Sequence, residues 1–138
     1  KTLQHSNVRL EPRLTPNLPS IDVDVIQVQQ VLLNLIINAR DAMPKGGTLS
    51  ITSHADDADA PRGVCVQVRD SGIGMTPEQL EVFFSPFYTT KLEQGGTGLG
   101  LAVCQRIMRQ HKGRIEADSH PNQGTLMRLW FPIKGATG

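Results

Sequence analysis

A carboxylate followed closely by two glycines can recognise a flat, amine-bearing ligand, and Asp70-Ser71-Gly72-Ile73-Gly74 supplies that set. Glycine lacks a Cβ and tolerates positive φ, so a planar group can pack directly on the main chain. An acid beside such a floor suits the exocyclic amine of a purine. A plain turn after a strand is the competing reading. A second set is Asn34, Asn38 and Asp41, at i, i+4 and i+7, which share one side of a helix. It reads either as a solvent face or as a polar row turned toward a ligand. An amide oxygen in such a row can ligate Mg²⁺, which prefers oxygen and keeps several waters.

A third set, Gly95-Gly96-Thr97-Gly98-Leu99-Gly100-Leu101-Ala102, runs into an amphipathic helix. Glycine-rich backbone at a helix N-terminus suits phosphate oxygens. Leu101-Ala102 stands where a P-loop carries Lys and Ser/Thr, and the glycine spacing is not that of the dinucleotide fingerprint. A flexible linker is the alternative. A fourth set is Phe83-Phe84-Ser85-Pro86-Phe87-Tyr88-Thr89-Thr90-Lys91, which holds four of the five Phe and Tyr residues. The aromatics would root a loop, and Lys91 offers a mobile cation to phosphate; a satellite apolar cluster would look the same.

These groups need elements to position them. Val8 to Leu10 alternates as a short strand, and Ile21 suggests another. Asp24 is placed to cap a helix reaching about Met43, with Val28, Val31, Leu32, Leu35 and Ala39 on one apolar face and Pro44 with Gly46-Gly47 to stop it. Thr48–Ser53 and Val64–Arg69 read as an antiparallel strand pair. Thr76-Pro77-Glu78-Gln79 is a capping-box start for a helix ending near Phe84. Ser85–Gly98 reads as a loop and Leu99–Lys112 as a helix. Arg114–Ser119 and Thr125–Ile133 form a final hairpin, turned by Pro121-Asn122-Gln123-Gly124. The order is not a regular βαβ alternation. It predicts an α+β two-layer sandwich: a mixed, mostly antiparallel sheet with about three helices on one face.

The bulk numbers agree with one domain spanning 1–138, with residues 1–7 as the tail of a preceding linker or helix and 134–138 as a frayed end. Hydrophobic residues make up 38% and charged residues 20%, the balance of a globular chain. A net charge of +1 gives no basis for nucleic-acid binding. Arg106, Arg109, Lys112 and Arg114 cluster modestly, as a solvated face or a partner surface. No apolar run has the length of a membrane span. Cys65 and Cys104 have no metal-like spacing and read as small buried hydrophobes of a reducing compartment. The chain begins with Lys, so it can be a piece of a longer protein.

The order and spacing of NLIINARDAM, DSGIGM, FFSPFYTTK and GGTGLGLA resemble the asparagine, first glycine, phenylalanine and second glycine boxes of sensor histidine kinases. The likeness runs from about Val8 to Pro132 and includes GTLMRLWFP; NARDAM and FYTTK are most similar to the nitrogen- and oxygen-sensing branch. It implies the Bergerat ATP-binding sandwich shared with gyrase, heat-shock chaperone and mismatch-repair ATPases, with ATP and Mg²⁺ as cofactors. By this resemblance Asn38 coordinates Mg²⁺ and Asn34 supports it one turn earlier. Asp70 accepts from the adenine amine, Gly72 and Gly74 allow close approach, and Thr125 assists through a bridging water. Lys91 and Thr97 contact phosphates, and Gly96, Gly98, Leu99 and Gly100 wrap them. Many relatives carry Lys or Arg where this chain has Asp41, so Arg40 or Lys91 would supply the positive charge.

The ATPase branches place Glu four residues before the magnesium asparagine, as a base for water. This chain has Asn34 there, which favours phosphoryl transfer over hydrolysis. Histidine kinases phosphorylate a histidine usually followed by an acid. His5, His54, His111 and His120 all lack that context, and His111 suits a helix C-terminus instead. The resemblance therefore implies a cytoplasmic catalytic domain, monomeric as a fragment, from a homodimeric parent. Its partners would be the parent's histidine-containing dimerisation domain and a response regulator receiver domain. An ATP hydrolase or an anti-sigma-type regulatory kinase of the same fold is the alternative.

Overall fold

The computed structural model describes residues 8–16, 18, 21–56, 62–84 and 101–133. Five strands form one sheet in the order β1-β2-β3-β5-β4. They are β1 (Val8–Leu14), β2 (Gly47–Asp56), β3 (Gly63–Asp70), β4 (Arg114–His120) and β5 (Gly124–Pro132). The helices are α1 (Val25–Asp41), α2 (Pro77–Phe83) and α3 (Ala102–Gln110). Pairing is antiparallel throughout except that β1 runs parallel to β2. A parallel neighbour needs a crossover, and α1 is that crossover. This is the expected mixed α+β sandwich.

Alternation fixes which side chains meet the helices. Val68 of β3, Leu49 of β2 and Met127, Leu129 and Phe131 of β5 are buried in one core with Val31 and Leu35 of α1 and Ile107 and Met108 of α3. Residues between them, such as Arg69, Arg128 and Glu116, belong to the opposite sheet face. There Trp130 lies under the Arg114 guanidinium, 4.5 Å from the ring centroid.

Local chemistry sets the helix ends. The Asp24 carboxylate accepts from the backbone N–H groups of Ile26 (3.0 Å) and Gln27 (3.2 Å), capping α1. Thr76 and Gln79 form the reciprocal capping box of α2. The α1 helix stops at Asp41, two residues before the expected Met43, with Ala42 as its C-cap. The α3 helix ends at Gln110 rather than Lys112, because His111 caps it and Lys112 turns to φ 59°. Its expected start at Leu99 lies outside the described residues, and Leu101 is its N-cap. Ile21 is not in a strand. The first four strands are longer than expected, since pairing continues past the alternating core, and β5 is shifted one residue toward the turn.

Candidate nucleotide site

Asp70 is the last residue of β3, where the sheet meets the end of α1. Only 7% of it is exposed. Its Oδ1 accepts from the Gly72 N–H at 2.9 Å, two residues along its own chain. Burial pushes the Asp70 carboxyl above the ordinary carboxylate range, while the backbone N–H groups of Gly72 and Thr125 pull the other way. Desolvation dominates, so the apo protein holds this acid at an energetic cost that a donor ligand would relieve.

The glycine loop after Asp70 is held on both sides. Ile73 N–H donates to the Ala42 carbonyl at the end of α1 (2.9 Å), and Asn122 N–H in the β4–β5 turn donates to the Ile73 carbonyl (2.6 Å). Thr48 N–H donates to Ser71 Oγ at 2.9 Å, and Met75 N–H donates to Ser119 Oγ at 2.9 Å. A Cβ on Gly72 would stand 2.3 Å from the Ala42 carbonyl oxygen. A Cβ on Gly74, at φ +67°, would stand 1.9 Å from the His120 carbonyl oxygen. Both glycines are thus required by contacts within the protein itself. These contacts by themselves account for both glycines, as the plain-turn reading expects.

Thr125 lies opposite Asp70 in the β3–β5 register and is buried. Its hydroxyl shares a 2.7 Å hydrogen bond with Ser119. The sequence marks Ser119 only as the end of a strand, not as a site residue. It is a single Ser at the end of an alternating strand, and only pairing brings it to Thr125 and Met75. Gly124 was read only as part of the turn. It sits at φ +84°, where a Cβ would lie 2.1 Å from the Asp70 carbonyl oxygen, and that close approach lets β5 lie against the strand end.

The α1 row divides. Asn34 is buried, 7% exposed, and its Nδ2 donates to Cys104 Sγ of α3 at 3.3 Å. Asn38 is half-buried one turn later, and its backbone carbonyl accepts from Ala42 N–H at 3.0 Å. Asp41 is half-exposed and lies 3.4 Å from Arg40 Nη2, so Arg40 is shared with a carboxylate. Neither a solvent face nor a wholly ligand-facing row describes all three. Asn38 and Asp70 are nevertheless drawn to the same edge, because Ala42, four residues after Asn38, accepts from Ile73, three after Asp70. Asn38 offers a hard carboxamide oxygen, the donor type Mg²⁺ takes.

The phenylalanine segment begins as expected. Phe83 is in the core and meets Phe84 edge-on at 6.5 Å. Leu101 N–H donates to the Phe83 carbonyl at 3.1 Å, joining the end of α2 to the start of α3. Lys91, Gly96, Thr97, Gly98, Leu99 and Gly100 lie outside the described residues. Cys65 and Cys104 are both free and buried, as expected for small hydrophobes. His111 stands at the end of α3, as expected, and there its ring bridges two backbone groups. Its Nδ1 lies 2.8 Å from the Ile107 carbonyl, and its Nε2 accepts from Asp24 N–H at 2.9 Å. The described residues contain no cluster of three metal-ligating side chains of the His, Cys, Asp or Glu type.

The five-stranded mixed sheet with its three helices is an α+β sandwich of the Bergerat type. The family model for histidine kinase-, DNA gyrase B- and HSP90-like ATPases matches residues 23–135, and the chain belongs to this family. Among its relatives is the sensor histidine kinase ZraS of Escherichia coli K12, 42% identical over 94% of this chain and 27% of ZraS. The chain thus spans about a quarter of that relative's length. The solved catalytic domain of histidine kinase ThkA superposes with a TM-score of 0.76 at 34% identity, covering 92% of this chain and 80% of that domain; ThkA has also been solved with the response regulator protein TrrA. Full-length ShkA in complex with AMPPNP gives a TM-score of 0.75 at 27% identity, over 95% of this chain and 26% of ShkA.

Proposed function

We propose that this chain is the ATP-binding catalytic domain of a two-component sensor histidine kinase. It binds Mg-ATP and presents the γ-phosphate to a histidine on the parent's dimerisation domain, for relay to a response regulator. The observation that carries this reading is Asp70: a nearly buried acid held by the backbone N–H groups of Gly72 and Thr125, beside backbone fixed by Gly72 and Gly74. Asp70 accepts from the adenine amine, and Thr125, fixed by Ser119, offers a hydroxyl beside it. Asn38 holds Mg²⁺, with Asn34 behind it. The metal supplies charge neutralisation at the phosphates. Lys91 and Thr97 would contact the phosphates, and Gly96, Gly98, Leu99 and Gly100 would wrap them.

Asn34 also argues against hydrolysis. It occupies the place of the water-activating acid, and a carboxamide takes no proton at neutral pH. Its amide is already committed to Cys104. Of the described histidines, His54 is followed by Ala55, His111 by Lys112 and His120 by Pro121, so none has the acid that usually follows an acceptor histidine, and His111 has both nitrogens engaged. We therefore place the acceptor on a separate domain, with the fragment monomeric, the parent homodimeric and the working compartment cytoplasmic. The test is transfer from labelled ATP. Acid-labile phosphate should appear on an added histidine-bearing dimerisation domain and not on this chain alone. Phosphate release by the chain alone, with no transfer to the added domain, would instead make it a hydrolase.

A further inference from the structure

The one side-chain bond linking the middle of α1 to α3 among the described residues runs between a proposed site residue and a cysteine. Asn34 Nδ2 donates to Cys104 Sγ at 3.3 Å. Both partners are inside the protein, and Cys104 has no exposed surface. Asn34 is fixed on α1 one turn before Asn38. Cys104 lies in the first turn of α3, three residues after Leu101, whose N–H is tied to Phe83. A carboxamide is planar, so committing its nitrogen to one neighbour directs its oxygen away from that neighbour. We propose that Cys104 is a positioning residue: its sulfur accepts from Asn34 and so sets the orientation of the Asn34 carboxamide beside Asn38, coupling the start of α3 to the metal side of the nucleotide site.

This inference rests on the proposed function. Burial raises the Cys104 thiol pKa, so the acceptor is the neutral sulfur. A neutral sulfur is a weak acceptor. The far ends of the same two helices are joined separately by His111 and Asp24, so loss of the Cys104 contact need not separate the helices.

The test uses calorimetry of a non-hydrolysable ATP analogue with Mg²⁺ and with chelator, together with thermal melting. Cys104→Val keeps an apolar side chain of similar size without an acceptor. It should cut the Mg²⁺-dependent gain in affinity about three- to tenfold, the size of one modest hydrogen bond. Affinity in chelator should stay parental. Cys104→Ser restores an acceptor and should recover most of the gain, which a purely packing role would not produce. If Cys104→Val does not fold, Cys104→Ala against Cys104→Ser gives the same comparison. A parental Mg²⁺ gain in Cys104→Val or Cys104→Ala, or equal loss in Ala and Ser, overturns the proposal. Asn38→Ala separates the two claims. If it abolishes the Mg²⁺ gain while the Cys104 variants keep it, only the positioning role fails. If it too keeps the gain, the site assignment itself fails.

Discussion

Asp70 carries a cost that links ligand recognition to stability. Its carboxyl titrates above 3.8, the ordinary value, because burial penalises the charge more than the Gly72 and Thr125 N–H groups stabilise it. The folded chain therefore holds a proton on Asp70 more tightly than the unfolded chain does. Stability from this group is complete below the unfolded value and falls as pH rises through the folded one. Asp70→Asn removes the titration. In urea melts of the apo protein, the variant should gain on the parent as pH rises upward from 3.8, and a gap constant with pH would contradict the account. The glycines make a second prediction at this scale. Gly74→Ala adds a methyl group at φ +67° against the His120 carbonyl. Strain and clash together should cost about 2 kcal/mol or more without any nucleotide present. A parental denaturation midpoint would mean that the loop does not pack as described. Asp70 and its glycines were legible in the sequence because the motif is local. The Ser119–Met75 and Asn34–Cys104 bonds were not, since each joins residues far apart in the chain and neither residue type signals a partner.

At the scale of elements, local rules specified the ends and tertiary contacts specified the neighbours. The Thr76 capping box and the antiparallel β2–β3 pair could be read directly, because both follow from short-range spacing. The parallel β1–β2 pairing could not, because it depends on where α1 delivers the chain after crossing the sheet. The early stops of α1 and α3 follow from what meets them: Ala42 bonds to the glycine loop, and His111 bonds across to Asp24. Asp24 thus serves two helices, its carboxylate capping α1 and its N–H donating to His111. Asp24→Ala removes only the carboxylate and should destabilise by about 1 kcal/mol in chemical denaturation. His111→Ala leaves the Asp24 N–H and Ile107 carbonyl without their ring partner, at a further cost of roughly 0.5–1.5 kcal/mol. Near-zero values for both would show that the α1–α3 end contact is not formed in solution.

Across the whole molecule, the sheet and three helices bring Asp70, the Asn38 end of α1 and the start of α3 to one side of the sandwich. The fold was legible almost entirely, since alternation, caps and box order all point to the same sandwich. The division of the α1 row was not, because helical spacing puts Asn34, Asn38 and Asp41 on one side without saying that α3 covers only the first. Calorimetry of a non-hydrolysable ATP analogue, with and without Mg²⁺, tests the central claim most directly. The parent should bind with an affinity that depends on Mg²⁺. Asp70→Ala should lose one charge-assisted bond, about 1.5–3 kcal/mol, or roughly ten- to a hundredfold. Asn38→Ala should bind without magnesium dependence. Parental binding by both variants would contradict the site and, with it, the proposed function.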